Sequence, residues 1–405
     1  MILEIKKSKL KGELSARPSK SFAHRYLFSS MLSENECVIS NVDFSDDIVA
    51  TLDSIHAYGK KHYRDFENNK VSFYKGFNKN FNPTFDSKES GTTLRIMLPI
   101  ALTLYDRATF IGSGRLIERG IGIYEDIFKY INFDKDKYSI KTKGLLSPGL
   151  YKLPGNISSQ YVSGLLYSLP LLDGDSEIIL TTNLESSNYV LMTLDVLKKY
   201  NIDITTNIYD STNNTPIYFK IKGNQKYVSF NTEIEGDYSN AAFIDAFNYF
   251  GNDIKITGLN KDSLQSDKIY KTYFDKLDNE FSEIDISNCI DLGPILITFA
   301  SLKHGARFIN TERLKIKESD RGNAIASELR KCNAKIDVFD NEIIVNKSDL
   351  KMPIENLYSH NDHRIAMSLT LLSTLFDINL EDYLCVKKSY PSFFEDLKTL
   401  GLQYN

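Results

Sequence analysis

"NDHRIAMSLTLLSTLF", residues 361–376, is the stretch on which the fold turns. From Ile365 onward it is apolar on nearly every helical face, which predicts a helix buried on all sides. Ser359, Asn361 and Asp362 are the residue types that cap such a helix. Arg364 then falls in the first turn, where the positive end of the helix dipole disfavours a cation. Five other stretches lead from a short polar segment into an apolar helical run. They are "PSKSFAHRYLFSSML" (18–32), "ESGTTLRIMLPIALTL" (89–104), "NISSQYVSGLLYSLPLL" (156–172), "GDYSNAAFIDAFNYF" (236–250) and "IDLGPILITFASLKHG" (290–305). They recur at intervals of about 50–80 residues, too long for a solenoid repeat.

Strand-like segments lie between them: "CVISNV", "ATFIGS" and "SEIILTT" follow the first three. "AKIDVFDNEIIVN" (334–346) reads as a hairpin turning at Asp340-Asn341. The amino-terminal "MILEIKKSKLKGEL" alternates like a strand and lacks a signal-peptide pattern. Six α/β units predict two domains of three, divided near 232–240. The polar, Asn-rich 200–226 stretch reads as surface strands and loops.

The chain of 405 residues is long enough for two full cores. With 42% apolar and 25% charged residues and a net charge of −4, nothing global points to a nucleic-acid or membrane partner. No apolar run is long enough to span a bilayer. The four cysteines, Cys37, Cys289, Cys332 and Cys385, form no CxxC, which suggests neither a metal site nor a disulfide framework and fits a cytoplasmic setting.

Anion binding must therefore come from local clusters, and the helix starts supply them. Lys20 and Arg25 flank the first, and Arg95 sits in the second. Lys315, Lys317 and Arg321 stand at another, with Ser319 and Asp320 as cap candidates. Arg115 and Arg119 lie in the Gly-rich "GSGRLIERGIG". A helix amino terminus presents free N–H groups and partial positive charge. A cation added there costs stability unless an anion arrives, so Arg364 is placed for a ligand phosphate or carboxylate. Taken alone, Arg95 or Arg115 reads as a solvated or surface-paired side chain. Two acids suit proton transfer. Asp291 precedes an apolar helix and by pattern alone reads as an N-cap; Glu318 reads equally as a first-turn acid pairing with Arg321. His363 is either a general base or a hydrogen-bonded structural residue. The hydroxyls of "SSQ" (158–160) are caps or phosphate donors.

Seven segments in order carry a resemblance that runs nearly the whole chain: "SKSFAHR", "SGTTLR", "ERGIG", "SSQYVSGLLYSLPL", "KESDRGNAIASELRK", "NDHRIAMS" and "KKSYPSFFEDL". The sequence resembles the enolpyruvyl transferases, in particular those acting on shikimate 3-phosphate. That resemblance implies a two-domain inside-out α/β barrel, each domain made of three βαβαββ units. Domain I would take 1–17 plus 235–405, and domain II 18–234, with the active site in the interdomain cleft. It also implies a monomer that moves the enolpyruvyl group of phosphoenolpyruvate to the 5-hydroxyl of shikimate 3-phosphate, through a tetrahedral adduct, on the route to chorismate and the aromatic amino acids. No cofactor and no metal are implied.

Carried over position by position, the resemblance assigns Ser21 and Arg25 to the shikimate carboxylate. Ser158, Ser159 and Ser186 fall to its 3-phosphate with Tyr189 nearby, and Gln160 to the ring and the second substrate. Lys20, Gly91, Arg119, Arg321, Arg364 and Lys388 would bind phosphoenolpyruvate. Asp291 would take the 5-hydroxyl proton beside Lys317, Glu318 would move the proton at the phosphoenolpyruvate methylene, and Lys20 would join them in catalysis. The chain departs from the family pattern at Glu89, Ile96, Gly120 and Arg313, and in "IDLGP". Two rival readings are a non-catalytic anion-binding homologue and the transferase acting on UDP-N-acetylglucosamine. The latter typically has Lys-Asn where Lys20-Ser21 stands, and a Cys in the Gly-rich loop, which 112–122 lacks.

Overall fold

A computed structural model describes residues 1–209 and 215–405. The chain forms two compact units, one of 1–19 with 235–405 and the other of 20–234. Part of the 200–226 stretch, residues 210–214, lies outside the described residues; its flanks form strands Ile204–Thr206 and Tyr218–Ile221.

Three of the six small sheets repeat one topology, in which two parallel strands joined through a helix are followed by an antiparallel hairpin. Thr84–Asp86 pairs in parallel with Arg107–Ile111, which pairs antiparallel with Ser139–Lys143 and it in turn with Asn132–Lys135. The same order builds the sheet of Ser282–Asp285, Gly305–Ile309, Glu342–Asn346 and Lys335–Val338, whose hairpin turns at Asp340-Asn341. Parallel pairing requires a crossover, and the apolar runs supply it. Helix Gly91–Ala101 connects the first pair and Gly293–Leu302 the second. The amino-terminal stretch is two strands rather than one. Ile2–Ile5 pairs with Ile378–Glu381, and Lys11–Ser15 with Asp253–Thr257. In the other unit, Cys37–Ser40 pairs in parallel with Thr232–Glu233, from the far end of that unit's sequence.

All six apolar runs are helices, and their bodies are buried. Every residue of His363–Thr370 is buried, as is every residue but Leu302 in Gly293–Leu302 and but Thr92 in Gly91–Ala101. Helices thus occupy the centre of each unit, and each unit has its own apolar core. Close packing shows at Gly164, where a Cβ would lie 2.5 Å from the Arg95 carbonyl oxygen and 2.2 Å from the Tyr124 hydroxyl. A helix buried all round carries charge most readily near its amino-terminal end, and Lys20, Arg25, Arg95 and Arg364 all lie within the first two turns of their helices.

Candidate active site

In the 20–234 unit, Arg25 is buried in helix Lys20–Leu32. It donates to the carbonyl oxygens of Ser21 and Tyr189 at 2.7 Å each and to Thr193 Oγ1 at 3.0 Å. Its guanidinium lies 5.7 Å from the centroid of the Tyr189 ring. Arg25 therefore ties Ser21 to the start of helix Ser187–Lys199, where Ser186 takes a left-handed φ of 53°. Lys20 Nζ donates to Asp47 Oδ2 at 2.8 Å. Ser158 caps helix Ser159–Ser168, accepting from the Gln160 N–H at 3.3 Å.

A second group in this unit surrounds Gly91. A Cβ there would lie 3.0 Å from Arg95 Nη1, 3.1 Å from Arg119 Nη2 and 3.4 Å from Gln160 Oε1. Glycine is what lets these groups share one spot. Arg95 corrects the reading from its isolated position. It is buried, not solvated; its Nη1 donates to Gln160 Oε1 at 2.7 Å, and its Nη2 reaches the carbonyl oxygens of Arg119 and Gly120. It stacks on Tyr161, 5.2 Å from the ring centroid, and Gln160 Nε2 donates to Thr92. Arg115 pairs on the surface with Glu118. Glu89 packs over Gly114, where a Cβ would come within 2.7 Å of its carboxylate.

In the other unit, Arg321 is the hub. Its side chain is 1% exposed. Its Nε donates to Asp362 Oδ2 at 2.8 Å, Nη1 to Asp291 Oδ1 at 2.8 Å, and Nη2 to Glu318 Oε2 at 2.6 Å. Asp291 also lies 3.2 Å from Lys317 Nζ and 3.2 Å from Arg364 Nη2. Asp291 is not the N-cap that its pattern suggested. It sits within the short turn Ile290–Leu292, and its carboxylate takes three cations. Asp362 is a cap, accepting from the Arg364 N–H at 2.9 Å, and it also receives the Ser319 hydroxyl. Arg364 is buried and lies over Phe243, 5.7 Å from the ring centroid. Lys388 Nζ donates to the Asn361 carbonyl oxygen at 2.6 Å. His363 is buried, with Nδ1 3.9 Å from Asp362 Oδ1. Asp320 caps helix Arg321–Lys331.

Electrostatics follow from this crowding. Burial lowers the Lys317 pKa, and Asp291 opposes that shift. Asp267, buried and hydrogen-bonded by Ser239, is pushed up to about 6 by burial and by the Asp291 charge, against the pull of Arg364. Sequence reasoning missed Asp267, Asp47 and the role of Arg95. Only the cationic helix starts hinted that acids of this kind would be needed. Asp291, Lys317, Glu318, Arg321 and Arg364 come together in one unit, with Lys388 joined through Asn361. In the other, Ser21, Arg25 and Tyr189 form one group, and Gly91, Arg119 and Gln160 another.

A family model described as EPSP synthase (3-phosphoshikimate 1-carboxyvinyltransferase) matches residues 5–397. A protein of Clostridium perfringens (strain 13) named 3-phosphoshikimate 1-carboxyvinyltransferase is 40% identical, with 97% of each chain covered. One of the same name from Clostridium kluyveri is also 40% identical, over 98% of this chain and 97% of the relative. Among solved structures, EPSP synthase from Acinetobacter baumannii superposes with a TM-score of 0.76 at 20% identity, covering 100% of this chain and 99% of that one. The enolpyruvyl transferase NikO from Streptomyces tendae gives the same TM-score, 0.76, at 14% identity, covering 100% of this chain and 98% of that one. At such identities these two likenesses speak for the two-domain α/β fold alone.

Proposed function

The chain belongs to the EPSP synthase (3-phosphoshikimate 1-carboxyvinyltransferase) family and is an enzyme of the shikimate pathway, and from that premise we propose which of its residues carry the reaction. The reaction transfers the enolpyruvyl group of phosphoenolpyruvate to the 5-hydroxyl of shikimate 3-phosphate, with loss of phosphate. Both substrates carry a phosphate and a carboxylate, so their approach needs concentrated positive charge.

In this reading Ser21 and Arg25 hold the shikimate carboxylate. Ser158, Ser159 and Ser186 hold its phosphate, with Tyr189 and Gln160 against the ring. Lys20, Gly91, Arg119, Gln160, Arg321, Arg364 and Lys388 receive phosphoenolpyruvate. Glu318 protonates the methylene carbon, which builds positive character on its neighbour. The 5-hydroxyl attacks that carbon as Asp291, steadied by Lys317, accepts its proton. The adduct then collapses: the new methyl group returns a proton to Glu318 as the carbon–oxygen bond to phosphate breaks, which restores the enol double bond, and the lysines and arginines stabilise the charge on departing phosphate. A domain I of 1–17 plus 235–405 and a domain II of 18–234, with the reaction in the cleft between them, belong to the same proposal.

The observation that supports this reading best is the carboxylate of Asp291 within 3.2 Å of Lys317, Arg321 and Arg364, with Glu318 on the same arginine. An acid and a base on one cationic hub are what an addition–elimination on an anionic enol requires. The test is inorganic phosphate released from phosphoenolpyruvate. Release only with shikimate 3-phosphate is expected. Release with UDP-N-acetylglucosamine instead, or none with either acceptor, would overturn the assignment.

No helix among the described residues is long and apolar enough to cross a membrane, and all four cysteines are buried and unpaired. These support a cytoplasmic enzyme. A monomeric state is part of the same proposal, checked by light scattering coupled to gel filtration.

A further inference from the structure

Glu328 has no part in the chemistry above, yet it is a carboxylate buried to 3% exposure in helix Arg321–Lys331. A buried charge persists only when paired and hydrogen-bonded. Its Oε2 accepts from Lys331 Nζ at 2.7 Å and from the Tyr358 N–H at 2.8 Å, and its Oε1 lies 2.9 Å from His360 Nε2. Two of these three partners lie in the segment that leads into Arg364. Lys331 also donates to the carbonyl oxygen of Asn356, just ahead of that segment.

That segment needs holding. Strand Leu357–Tyr358 is only two residues long. His360 and Asn361 then both take a φ of 54°, two successive left-handed conformations without a glycine. Such backbone persists only where the surroundings over-determine it. Ser359 anchors one side, donating its hydroxyl to the Asp382 carbonyl oxygen at 3.0 Å. Glu328 anchors the other. The turn so fixed presents the Asn361 carbonyl oxygen to Lys388 Nζ and delivers the chain to the cap at Asp362.

We propose that Glu328 is a positioning residue for phosphoenolpyruvate: by pinning Tyr358 and His360 it holds the left-handed turn that aims Lys388 and starts the helix carrying Arg364. This rests on the assignment of Lys388 and Arg364 to phosphoenolpyruvate. Glu328 itself touches no substrate, and its effect passes through the backbone of residues 358–361.

The test measures steady-state kinetics for Glu328→Ala, Glu328→Gln, Glu328→Ala with Asn361→Gly, and Lys388→Ala, each checked for folding by circular dichroism. Losing buried hydrogen bonds to a charged group should raise the KM for phosphoenolpyruvate about tenfold in Glu328→Ala. The KM for shikimate 3-phosphate and kcat should stay within about threefold, a split that general loss of stability does not give. Glycine adopts a positive φ without strain, so Asn361→Gly should recover much of the loss. Glu328→Gln keeps the shape and should fall between wild type and Glu328→Ala; it carries the test if the alanine variant does not fold. If Lys388→Ala raises the phosphoenolpyruvate KM while folded Glu328 variants leave it unchanged, the positioning role is wrong and the site assignment stands. If Lys388→Ala itself changes nothing, the site assignment falls and this inference with it. Equal rises in both KM values, or no rescue by Asn361→Gly, would also overturn the proposal.

Discussion

Replacing Asp362 by Asn separates two jobs that one carboxylate performs. Asp362 is fully buried, caps helix His363–Thr370 and receives Arg321 through both oxygens, at 2.8 and 3.2 Å. Asparagine caps as well as aspartate, so Asp362→Asn leaves the cap and removes the charge. Breaking a buried ion pair by neutralising one partner costs about 3–5 kcal/mol. Arg321 keeps Asp291 and Glu318, which argues for the lower end, about 3 kcal/mol. Asp362→Ala loses the cap too, adding about 1 kcal/mol. The chain has no tryptophan, so urea unfolding is followed by far-ultraviolet circular dichroism. With a slope of about 3 kcal/mol/M, the Asn variant's midpoint falls by about 1 M. A double-mutant cycle sharpens the result. In an Arg321→Met background Asp362 has already lost its guanidinium, so Asp362→Asn should cost little or even stabilise. Additive costs, or an Asn variant within about 0.5 kcal/mol of wild type, would refute the pairing as the source of the stability.

Asp291→Ala should lower kcat by at least about a hundredfold with little change in the KM for shikimate 3-phosphate, and the reverse pattern would remove Asp291 as the base. Burial and the neighbouring Asp291 push the Asp267 carboxyl up to about 6, above the usual carboxylate range, so the fold favours its protonated form. Its stabilising contribution is complete below about pH 4 and is lost as pH rises through 6, on the order of 3 kcal/mol. Asp267→Asn should therefore gain stability relative to wild type between pH 4 and 7, read from urea midpoints; a difference that is flat with pH would contradict this. Gly164→Ala forces a methyl against Tyr124 and the Arg95 carbonyl and should cost at least about 2 kcal/mol, visible as a lowered melting temperature. Binding of phosphoenolpyruvate to the enzyme with shikimate 3-phosphate should take up a proton near neutral pH, measured by calorimetry in buffers of different ionisation enthalpy.

What was legible in the sequence divides along a physical line. The six central helices could be read because each is apolar on every face, a property local to its own residues. The second helices, such as Asp46–Tyr58 and Ser187–Lys199, did not stand out, because a mixed surface face dilutes the apolar signal. The amino-terminal stretch alternates throughout, so pattern could not reveal that Ile2–Ile5 and Lys11–Ser15 enter different sheets. Caps are local, and Asp320 and Asp362 were read as candidates. Partners are not local. Arg321 finds Asp362 across 41 residues and Asp291 across 30. Arg95 reads as solvated until its helix is known to be buried, after which it must find acceptors indoors. The resemblance supplied Asp291, Glu318 and Arg321 as a set, but not the hydrogen bonds that join them.

Those hydrogen bonds bear on how the acid is armed. Lys317, Arg321 and Arg364 face Asp291, Glu318 and Asp362, so the hub brings three cations against three carboxylates. On the proposed assignment phosphoenolpyruvate adds further negative charge to this cluster. A new anion beside a carboxylate that shares its arginine raises that carboxylate's proton affinity, by repulsion and by competing for the same N–H donors. Asp362 is fully buried and held by both Arg321 and the helix start. Glu318 accepts from Arg321 Nη2 at 2.6 Å, and an arriving phosphate competes directly for that guanidinium. The substrate would thus protonate the residue that must hand a proton to its methylene, while Asp291, still facing Lys317, remains the base. On the same proposed assignment Arg364 in its unfavourable first turn has a reason: 3.2 Å from the Asp291 carboxylate, it sets positive charge beside both the base and the incoming anion.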